Sequence, residues 1–375
     1  MLVAGARPNF IKVAPLIHAL LRSETDFSTF LVHTGQHYDE AMSRVFFDEL
    51  RIPRPDVDMG IGSGSHAKQT AAIMVGFEAI LLEQRPHALI VVGDVNSTVA
   101  SSLVAVKLGI PVYHIEAGLR SFDRAMPEEI NRIVTDSISD LLFVSEEAGL
   151  DNLRREGVAE EKIHFVGNVM IDTLIAQREN AARSTVLDRL GLESQEYALL
   201  TLHRPSNVDA VERFRDILEA LKIIAASVPI IFPVHPRTLE QLARHKLQGE
   251  LASIGGLRLV SPLSYIDFLR LETDARLVLT DSGGVQEETT FLRVPCLTLR
   301  ENTERPVTAL EGTNSVVGTC VDSIVSRTEK VLNGGVELPD APPPLWDGHA
   351  AERIVATIAR ELKPHEAYRG KISLC

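Results

Sequence analysis

Residues 280–288, TDSGGVQEE, have the composition of a phosphate-binding turn between a strand and a helix. The paired glycines would allow the backbone to approach a ligand, and the start of the helix would offer N–H groups with positive dipole character. A diphosphate fits such a site, although a simple glycine turn between a strand and a helix would have the same sequence pattern. Glu288 would repel phosphate, but it could accept two hydrogen bonds from a ribose diol or simply compensate the helix dipole.

Acidic side chains follow two apolar runs in the first half of the chain. Asp94 comes after ALIVV and a glycine, and Glu116 comes directly after VYHI. Because the carboxyl ends of parallel strands form the ligand-binding edge of an α/β sheet, both are candidate catalytic groups. Asp94 could instead cap the next helix. Glu116 has a weaker structural explanation, since a glutamate that ends a buried strand is costly without a partner.

Charged residues of three further motifs could join this site. In PEEINR, Glu128 and Arg132 share one face of a predicted helix, which could reflect only an i,i+4 ion pair, but their place shortly after Glu116 on the same side of the sheet favours a catalytic role. In GARPNFIK, Arg7 lies at the turn after the first apolar run and offers a planar fork for phosphate oxygens, while Lys12 lies on the following helix. His203, in TLHRPSN, follows the first apolar run of the second half. A lone histidine at a strand end is usually structural.

The rest of the sequence argues against several classes of function. A formal net charge of -13 disfavours a nucleic-acid-binding surface. The three cysteines (Cys296, Cys320 and Cys375) have neither metal spacing nor a disulfide framework, which is typical of a reducing compartment. No apolar run reaches the roughly 20 residues that span a bilayer, and no signal pattern precedes the first strand. We therefore expect a cytoplasmic protein that contacts neither nucleic acid nor membrane.

Motifs for common cofactors and metals are also missing. The glycine-rich segment GIGSG at residues 60–64 has no strand before it and no acidic residue at the right distance after it, so it does not predict a nicotinamide site. The sequence contains no Gly-x4-Gly-Lys-Ser/Thr phosphate loop and no metal-ligand spacing. We expect an enzyme without a cofactor or a metal.

Alternating apolar and amphipathic stretches must position these side chains. In the first half, strands are predicted at 2–5, 29–33, 88–92, 112–115, 141–144 and 164–166, and helices at 10–22, 38–50, 66–84, 98–108, 127–139 and 146–156. The strands are near-continuous apolar runs, which is typical of a parallel sheet covered by helices on both faces.

The pattern restarts in the second half, where strands are predicted at 197–202, 229–234, 257–260, 275–279, 295–299 and 315–317. A charged helical segment at 179–192 lies between the halves, and a final helix at 349–362 follows a proline-rich turn. With 375 residues, two domains are the better expectation. Two doubly wound α/β domains would face each other across a cleft at their strand ends.

Eight motifs in order carry a resemblance to a known family. They are GARPNFIK, HTGQHYD, GDVNST, HIEAGLRS, PEEINR, TLHRPSN, TDSGGVQEE and TERP. Between Val3 and about Gly318 the chain resembles the non-hydrolysing UDP-N-acetylglucosamine 2-epimerases. The resemblance implies a glycosyltransferase-B type fold with two Rossmann-like domains, a homodimer, and a role in cell-surface polysaccharide biosynthesis. Residues 1–168 would form the first domain and 169–348 the UDP-binding domain, with a terminal helix within 349–375 packing back on the first.

The resemblance also assigns roles to individual residues. It implies that the catalytic set is Asp94, Glu116, Glu128 and His203. The UDP and substrate contacts would come from Arg7, Lys12, Arg132, Phe268, Ser282, Gly283, Glu288 and Arg305. Within that second set, Ser282 and Gly283 would meet the phosphates, Glu288 the ribose, and Phe268 the uracil ring.

The implied reaction explains why these residue types are needed. The proton on C2 of the sugar is not acidic enough for easy removal, so UDP leaves C1 while a base takes that proton, giving a 2-acetamidoglucal. A proton then returns to the other face of C2 and UDP adds back. This requires an acid and a base on opposite faces of the sugar and positive groups for the departing diphosphate. We favour Asp94 at C2, with Glu116 or Glu128 as its counterpart.

Many bacterial members of that family bind a second substrate molecule as an activator. The residues that the resemblance carries over to this allosteric site are Gln36, His37, Arg204 and His235. Two neighbouring positions depart from the family, because Asp39 stands where a glutamine is usual and Lys68 where an arginine is usual. Since lysine does not replace the bidentate contacts of arginine, substrate activation is left open.

Four other functions stay open at this stage. The chain could be a 2-epimerase of a modified UDP-sugar, such as a diacetamido uronic acid, or a hydrolysing epimerase. A glycosyltransferase of the same fold would need fewer acidic groups around the sugar. A non-catalytic nucleotide-sugar sensor would have no need of four titratable side chains in one cleft.

Overall fold

The computed structural model describes residues 1–5, 7–35 and 47–362. The strands in this part of the chain form two parallel sheets. The first sheet contains β1 Leu2–Ala4, β2 Leu31–His33, β3 Val57–Asp58, β4 Leu89–Val92, β5 Val112–Ile115, β6 Leu141–Val144 and β7 Ile163–Phe165. The second contains β8 Ala198–Thr201, β9 Ile230–Pro233, β10 Leu257–Val260, β11 Leu277–Thr280, β12 Cys296–Thr298 and β13 Asn314–Val316.

Both sheets have the doubly wound strand order. The first runs β3-β2-β1-β4-β5-β6-β7 and the second β10-β9-β8-β11-β12-β13. The order reverses between β1 and β4, and again between β8 and β11, and crevices for ligands open at such reversals. Two Rossmann-like α/β units are therefore present, as the sequence predicted.

Besides the helical residues 47–50, the described part of the chain contains sixteen α-helices. They are α1 Arg7–Arg22, α2 His66–Gln84, α3 Asn96–Lys107, α4 Pro127–Ile138, α5 Glu147–Arg155, α6 Val169–Ala182, α7 Val186–Leu190, α8 Pro205–Val208, α9 Val211–Ile224, α10 Pro236–Arg244, α11 Gln248–Ala252, α12 Tyr265–Thr273, α13 Gly283–Leu292, α14 Pro306–Leu310, α15 Val321–Leu332 and α16 Ala350–Glu361. A short 3-10 helix, Glu160–Lys162, precedes β7. None of these helices has the length and the apolar character that crossing a membrane requires.

The central strands are apolar on both faces because helices cover both sides of each sheet. All four residues of β4, LIVV, are buried. One face of the first sheet packs in a core with α1, and α16 lies in the same core through Ala350, Ile354 and Ile358. The Asp172 carboxylate of α6 accepts the backbone N–H groups of Ala350 and Ala351 at 3.2 and 2.7 Å, which fixes the start of α16.

Two elements differ from the sequence prediction, and a third lies mainly outside the described residues. The charged segment at 179–192 is not one helix, since α6 ends at Ala182 and α7 begins at Val186. Strand β3 was not predicted, because its two residues are too short for a hydrophobic pattern; Val57 pairs with Val32. The predicted helix at 38–50 falls mainly outside the described residues. Its last four residues, 47–50, are described and are helical.

Candidate active site

Glu116 lies where the two halves of the chain meet, between Lys12 of the first half and Arg305 of the second. It follows β5 with a backbone φ of 67°, a left-handed conformation that is rare for a residue other than glycine and is often found at functional sites. Its carboxylate is buried, and Oε2 accepts a hydrogen bond from Lys12 Nζ at 2.5 Å. Arg305 Nη2 of the second half lies 4.0 Å from the same oxygen. The other oxygen, Oε1, has no hydrogen-bond partner in the described part of the chain.

The turn before Asp94 is shaped by its contact with Glu116. Gly93 has a φ of 70°, and a Cβ atom there would lie 3.3 Å from Glu116 Oε2. His114 supports the turn from β5, because its Nε2 lies 2.8 Å from the Gly93 carbonyl oxygen and its Nδ1 lies 2.6 Å from Asp136 Oδ1. A carboxylate can only accept, so Nδ1–H donates to Asp136. The sequence prediction missed this histidine, whose signal was only its place inside a buried strand.

Asp94 is an ion-paired carboxylate rather than a helix cap. The N-cap of α3 is Val95, and no side chain caps that helix. Asp94 Oδ2 instead accepts a hydrogen bond from Arg132 Nη1 at 2.5 Å. Burial raises the pKa of Asp94, but the positive charges of Arg132, Lys12 and Arg305 outweigh it and hold the pKa below its ordinary value. Asp94 is therefore an anion at neutral pH.

The partner of Arg132 within α4 is Glu129, so the suggested ion pair with Glu128 is wrong. Glu129 Oε2 accepts hydrogen bonds from Arg132 Nη2 at 2.5 Å and from the Ser121 backbone at 2.9 Å. Its Oε1 accepts the backbone N–H of Phe122 at 2.9 Å. The helical periodicity could have indicated the pairing of Glu129 with Arg132, because the buried residues Glu129, Arg132 and Asp136 recur every three or four positions.

Glu128 turns toward the second half of the chain. Its Oε1 lies 3.7 Å from Arg204 Nη1, and a second nitrogen of that guanidinium lies 3.3 Å from Glu304 Oε1. Glu304 is buried, and although burial alone would raise its pKa, Arg305, Arg300 and Arg204 hold that pKa well below its ordinary value. Arg204, expected at an allosteric site, therefore contacts an expected catalytic residue.

His203 is held by the aspartate of the TDSGG motif. Its Nδ1 lies 3.0 Å from Asp281 Oδ1, and both oxygens of that buried carboxylate also accept the His203 backbone N–H. Because the carboxylate can only accept, the proton sits on Nδ1 and Nε2 is the nitrogen that can exchange a proton with a ligand. Burial raises the pKa of Asp281, but His203 holds it below its ordinary value. The ring of His235 lies 5.5 Å from that of His203.

Arg305 lies beside the start of α13. Ser282 is the N-cap but its side chain makes no capping bond. A Cβ atom on Gly283 would lie 2.6 Å from Arg305 Nη1 and 2.8 Å from Glu304 Oε1, so a larger residue there would have to displace these two side chains. Helix starts leave N–H groups without intrahelical partners, and an arginine beside them adds a charged donor. This arrangement can hold a diphosphate.

Two buried glutamates beside Arg305 were not predicted. Glu287 Oε1 lies 2.8 Å from Arg305 Nε and accepts a hydrogen bond from Asn168 at 3.0 Å. Burial raises the pKa of Glu287 to about 7, although Arg305 opposes the shift. Burial and the charge of Glu287 raise the pKa of Glu146, which follows β6, to about 8. Nothing in the sequence indicated these two glutamates, because each occupies an ordinary helical or loop position. Only their burial beside Arg305 in the folded chain makes them candidate functional groups.

The residues expected around the nucleoside lie on α12 and α13. Phe268 is half-buried on α12 and packs against the core that contains Tyr197 and Leu271. Glu288, on α13, accepts a hydrogen bond from the Tyr265 hydroxyl at 2.8 Å. Of the other predicted residues, Gln36, His37 and the side chain of Arg7 lie outside the described part of the chain. Within that part, no group of three or more His, Cys, Asp or Glu could hold a metal ion.

Comparison with known proteins identifies the family. A family model described as UDP-N-acetylglucosamine 2-epimerase matches residues 19–359. The UDP-N-acetylglucosamine 2-epimerase of Methanocaldococcus jannaschii is 44% identical over 365 residues, which cover 94% of this chain and 97% of that protein. The chain belongs to the UDP-N-acetylglucosamine 2-epimerase family. The eight motifs of the sequence predicted this family correctly.

Two further relatives show how the family varies. The structure of the Methanocaldococcus jannaschii epimerase in complex with UDP-GlcNAc and UDP has a TM-score of 0.90 and 42% identity, and covers 96% of this chain and 99% of that one. A UDP-2,3-diacetamido-2,3-dideoxy-D-glucuronate 2-epimerase of Pseudomonas aeruginosa is 40% identical, with 96% of this chain and 98% of that protein covered. The epimerase family thus includes members named for different UDP-sugars.

Proposed function

We propose that this member of the epimerase family converts UDP-N-acetylglucosamine to UDP-N-acetylmannosamine without releasing the nucleotide. The observation that carries the proposal is the contact of Glu116 with Lys12 of its own half and Arg305 of the other, beside the start of α13. This arrangement combines carboxylates for proton transfer with donors for a diphosphate. The 42% identical relative with UDP-GlcNAc and UDP bound supports the same ligand class.

The proposed reaction begins with loss of UDP from C1. Ser282, Gly283 and Arg305 would bind the departing diphosphate, whose negative charge grows as the C1–O bond breaks. Burial lowers the pKa of Arg305, but Glu287, Glu304 and Glu116 outweigh it and raise that pKa, so the guanidinium stays charged throughout. UDP must remain bound while the sugar is a 2-acetamidoglucal, which requires a closed cleft that excludes water.

Proton transfer at C2 is proposed for Asp94. Asp94 is anionic at neutral pH because the positive charge of Arg132 stabilises its ionised form. An anionic carboxylate is the form that accepts a proton. Glu116, Glu128 or His203 would return a proton from the other face. His203 is suited to exchange through Nε2, since Asp281 fixes its tautomer. Arg132 would orient Asp94, and Glu288 with Phe268 would bind the nucleoside.

A second candidate is C2 epimerisation of a UDP-diacetamido uronic acid. It is favoured by the 40% identical Pseudomonas aeruginosa relative named for that substrate. A uronate carries an additional carboxylate that needs a cation near the sugar. Arg300, which is buried between Glu304 and Met126, is the group we would assign to it.

A substrate panel separates the two candidates. Purified protein is incubated with UDP-N-acetylglucosamine and with UDP-2,3-diacetamido-2,3-dideoxyglucuronate, and the products are resolved by chromatography. We expect conversion of the first substrate with no release of free N-acetylmannosamine. Turnover of only the uronate would replace the proposal by the second candidate, and free sugar with stoichiometric UDP would indicate a hydrolysing enzyme.

We also propose that the protein is a cytoplasmic homodimer that supplies cell-surface polysaccharide synthesis. The cytoplasmic location is supported by free thiols at Cys296 and Cys320, which suit a reducing compartment. Sedimentation analysis of purified protein tests the dimer. A single species with the mass of one chain would contradict it.

A further inference from the structure

Both ring nitrogens of His114, a completely buried residue of β5, face oxygen atoms. Nδ1 lies 2.6 Å from Asp136 Oδ1, and Nε2 lies 2.8 Å from the Gly93 carbonyl oxygen. A carbonyl oxygen and an ionised carboxylate only accept hydrogen bonds. Each ring nitrogen must therefore carry a proton to make its hydrogen bond, and the ring is then an imidazolium cation.

The proton between His114 and Asp136 belongs to the histidine. A neutral ring would require Asp136 to be the acid of the pair. However, Asp136 Oδ2 accepts the backbone N–H of Gly118 at 3.0 Å and lies 2.7 Å from Arg120 Nη1, and such donors stabilise the carboxylate anion. Burial raises the pKa of Asp136, but His114 and Arg120 outweigh it and hold that pKa below its ordinary value.

The charges of the surrounding cluster balance when His114 is an imidazolium. Beyond Asp136, Arg120 donates to both carboxylate oxygens of Glu156, from Nε at 2.8 Å and from Nη2 at 2.6 Å. Imidazolium, aspartate, arginine and glutamate then alternate in sign and sum to zero. With a neutral histidine, one negative charge of the cluster would be uncompensated. That is costly because His114, Asp136 and Arg120 are all buried.

His114 and Asp136 together hold the two turns that carry the proposed catalytic carboxylates. The Nε2 proton fixes the Gly93 carbonyl, which belongs to the peptide that leads to Asp94. Asp136 fixes the N–H of Gly118 in the turn after β5. We propose that His114 is a positioning residue, an imidazolium whose Nε2 proton fixes the peptide before Asp94 for proton transfer at C2. The inference rests on the proposed role of Asp94.

NMR of the histidine ring nitrogens tests the protonation directly. Nitrogen–proton correlation spectra of the full chain with nitrogen-15 histidine, recorded at neutral pH, should contain a ring with protons on both nitrogens. This signal should be missing from the spectrum of His114→Gln, which assigns it. A His114 ring with a proton on only one nitrogen would overturn the inference.

Two amide substitutions separate the two hydrogen bonds of the ring. Counted along the side chain, the amide nitrogen of asparagine matches Nδ1 and that of glutamine matches Nε2. His114→Gln keeps the donor to Gly93, and its kcat should stay within about threefold of the wild type. His114→Asn keeps only the donor to Asp136, and its kcat should fall about tenfold or more, as expected for the loss of one charged hydrogen bond. UDP affinity, measured by calorimetry, should be unchanged in both variants.

His164→Gln is the matched control, because His164 also lies in a strand of the first sheet and its Nε2 has no hydrogen-bond partner in the described residues. Its kcat should equal that of the wild type. Equal losses of kcat in His114→Asn and His114→Gln would overturn the positioning role, as would a loss of UDP affinity that accounts for the lower activity. Normal turnover in Asp94→Asn would overturn the catalytic role of Asp94, and the two ring protons measured by NMR would not depend on that result.

Discussion

At the scale of single residues, the proposed reaction depends on which carboxylates face the sugar. The sequence indicated Asp94 and Glu116 because both follow buried strands, where a carboxylate without a partner is energetically costly. It could not distinguish Glu128 from Glu129, since the two are adjacent and only the packing of α4 determines which one faces the interior. It also could not find Glu146, whose neighbours Arg305 and Val307 are distant in sequence.

We expect Asp94→Asn to abolish turnover while UDP still binds. The amide can keep a hydrogen bond to a neighbour but cannot accept the C2 proton, so kcat should fall at least about 100-fold. Asp151→Asn, a change of an exposed aspartate on α5, is the matched control and should have normal kinetics. Normal turnover in Asp94→Asn would remove Asp94 from the mechanism.

The neighbouring glutamates of α4 should behave in opposite ways. Glu129→Gln weakens the support of Arg132 and of the Ser121–Phe122 turn, so we expect a loss of about 2–4 kcal/mol in unfolding free energy. Glu128→Gln changes a partly exposed side chain, and its unfolding free energy should stay within about 0.5 kcal/mol of the wild type. Its kcat should nevertheless fall about tenfold or more. Urea titrations and steady-state kinetics measure both effects, and a reversed pattern would show that the roles are exchanged.

At the scale of elements, the site depends on turns at strand ends more than on helices. The near-continuous apolar runs predicted most strands to within one or two residues. The error at 179–192 arose because charged, helix-favouring residues continue through the break between α6 and α7, where the chain turns. The boundary proposed between residues 168 and 169 stays a prediction, because α6 packs on α1 as well as on α12 and α13.

Gly93→Ala should lower kcat, because the new Cβ atom would crowd the Glu116 carboxylate beside the turn that Gly93 forms. Both Gly93 and Gly157 have positive φ values, 70° and 80°, so alanine strains either backbone by about 1–2 kcal/mol. Only at Gly93 would the new Cβ crowd Glu116, at 3.3 Å, because Gly157 has open space around it. We expect kcat to fall in Gly93→Ala and to be unchanged in Gly157→Ala. Equal kinetics in the two variants would exclude this contact as a functional feature.

At the scale of the whole molecule, buried ionisable groups lie between the two halves of the chain. Glu146 of the first half lies beside Arg305 and the backbone N–H of Val307 in the second, and its pKa is raised to about 8. A carboxyl with a raised pKa keeps its proton in the folded state where the unfolded chain has lost it. The contribution of Glu146 to the unfolding free energy therefore falls as pH rises from about 4.5 to about 8, and changes no further above that range.

Glu146→Gln should remove this dependence. We expect the variant to be close to the wild type in unfolding free energy near pH 4.5, and more stable by about 2–4 kcal/mol at pH 8.5. Urea titrations of both proteins at the two pH values give the difference directly. A difference that is constant with pH would mean that Glu146 is ionised in the folded protein at neutral pH.

The most direct test of the whole account is a proton NMR time course of the purified protein with UDP-N-acetylglucosamine in deuterated water. The account predicts that deuterium enters at C2 while UDP-N-acetylglucosamine and UDP-N-acetylmannosamine approach equilibrium, with the nucleotide attached to both sugars. Epimerisation without deuterium at C2 would contradict proton transfer by the carboxylates of the cleft. No exchange and no product would contradict the proposed substrate.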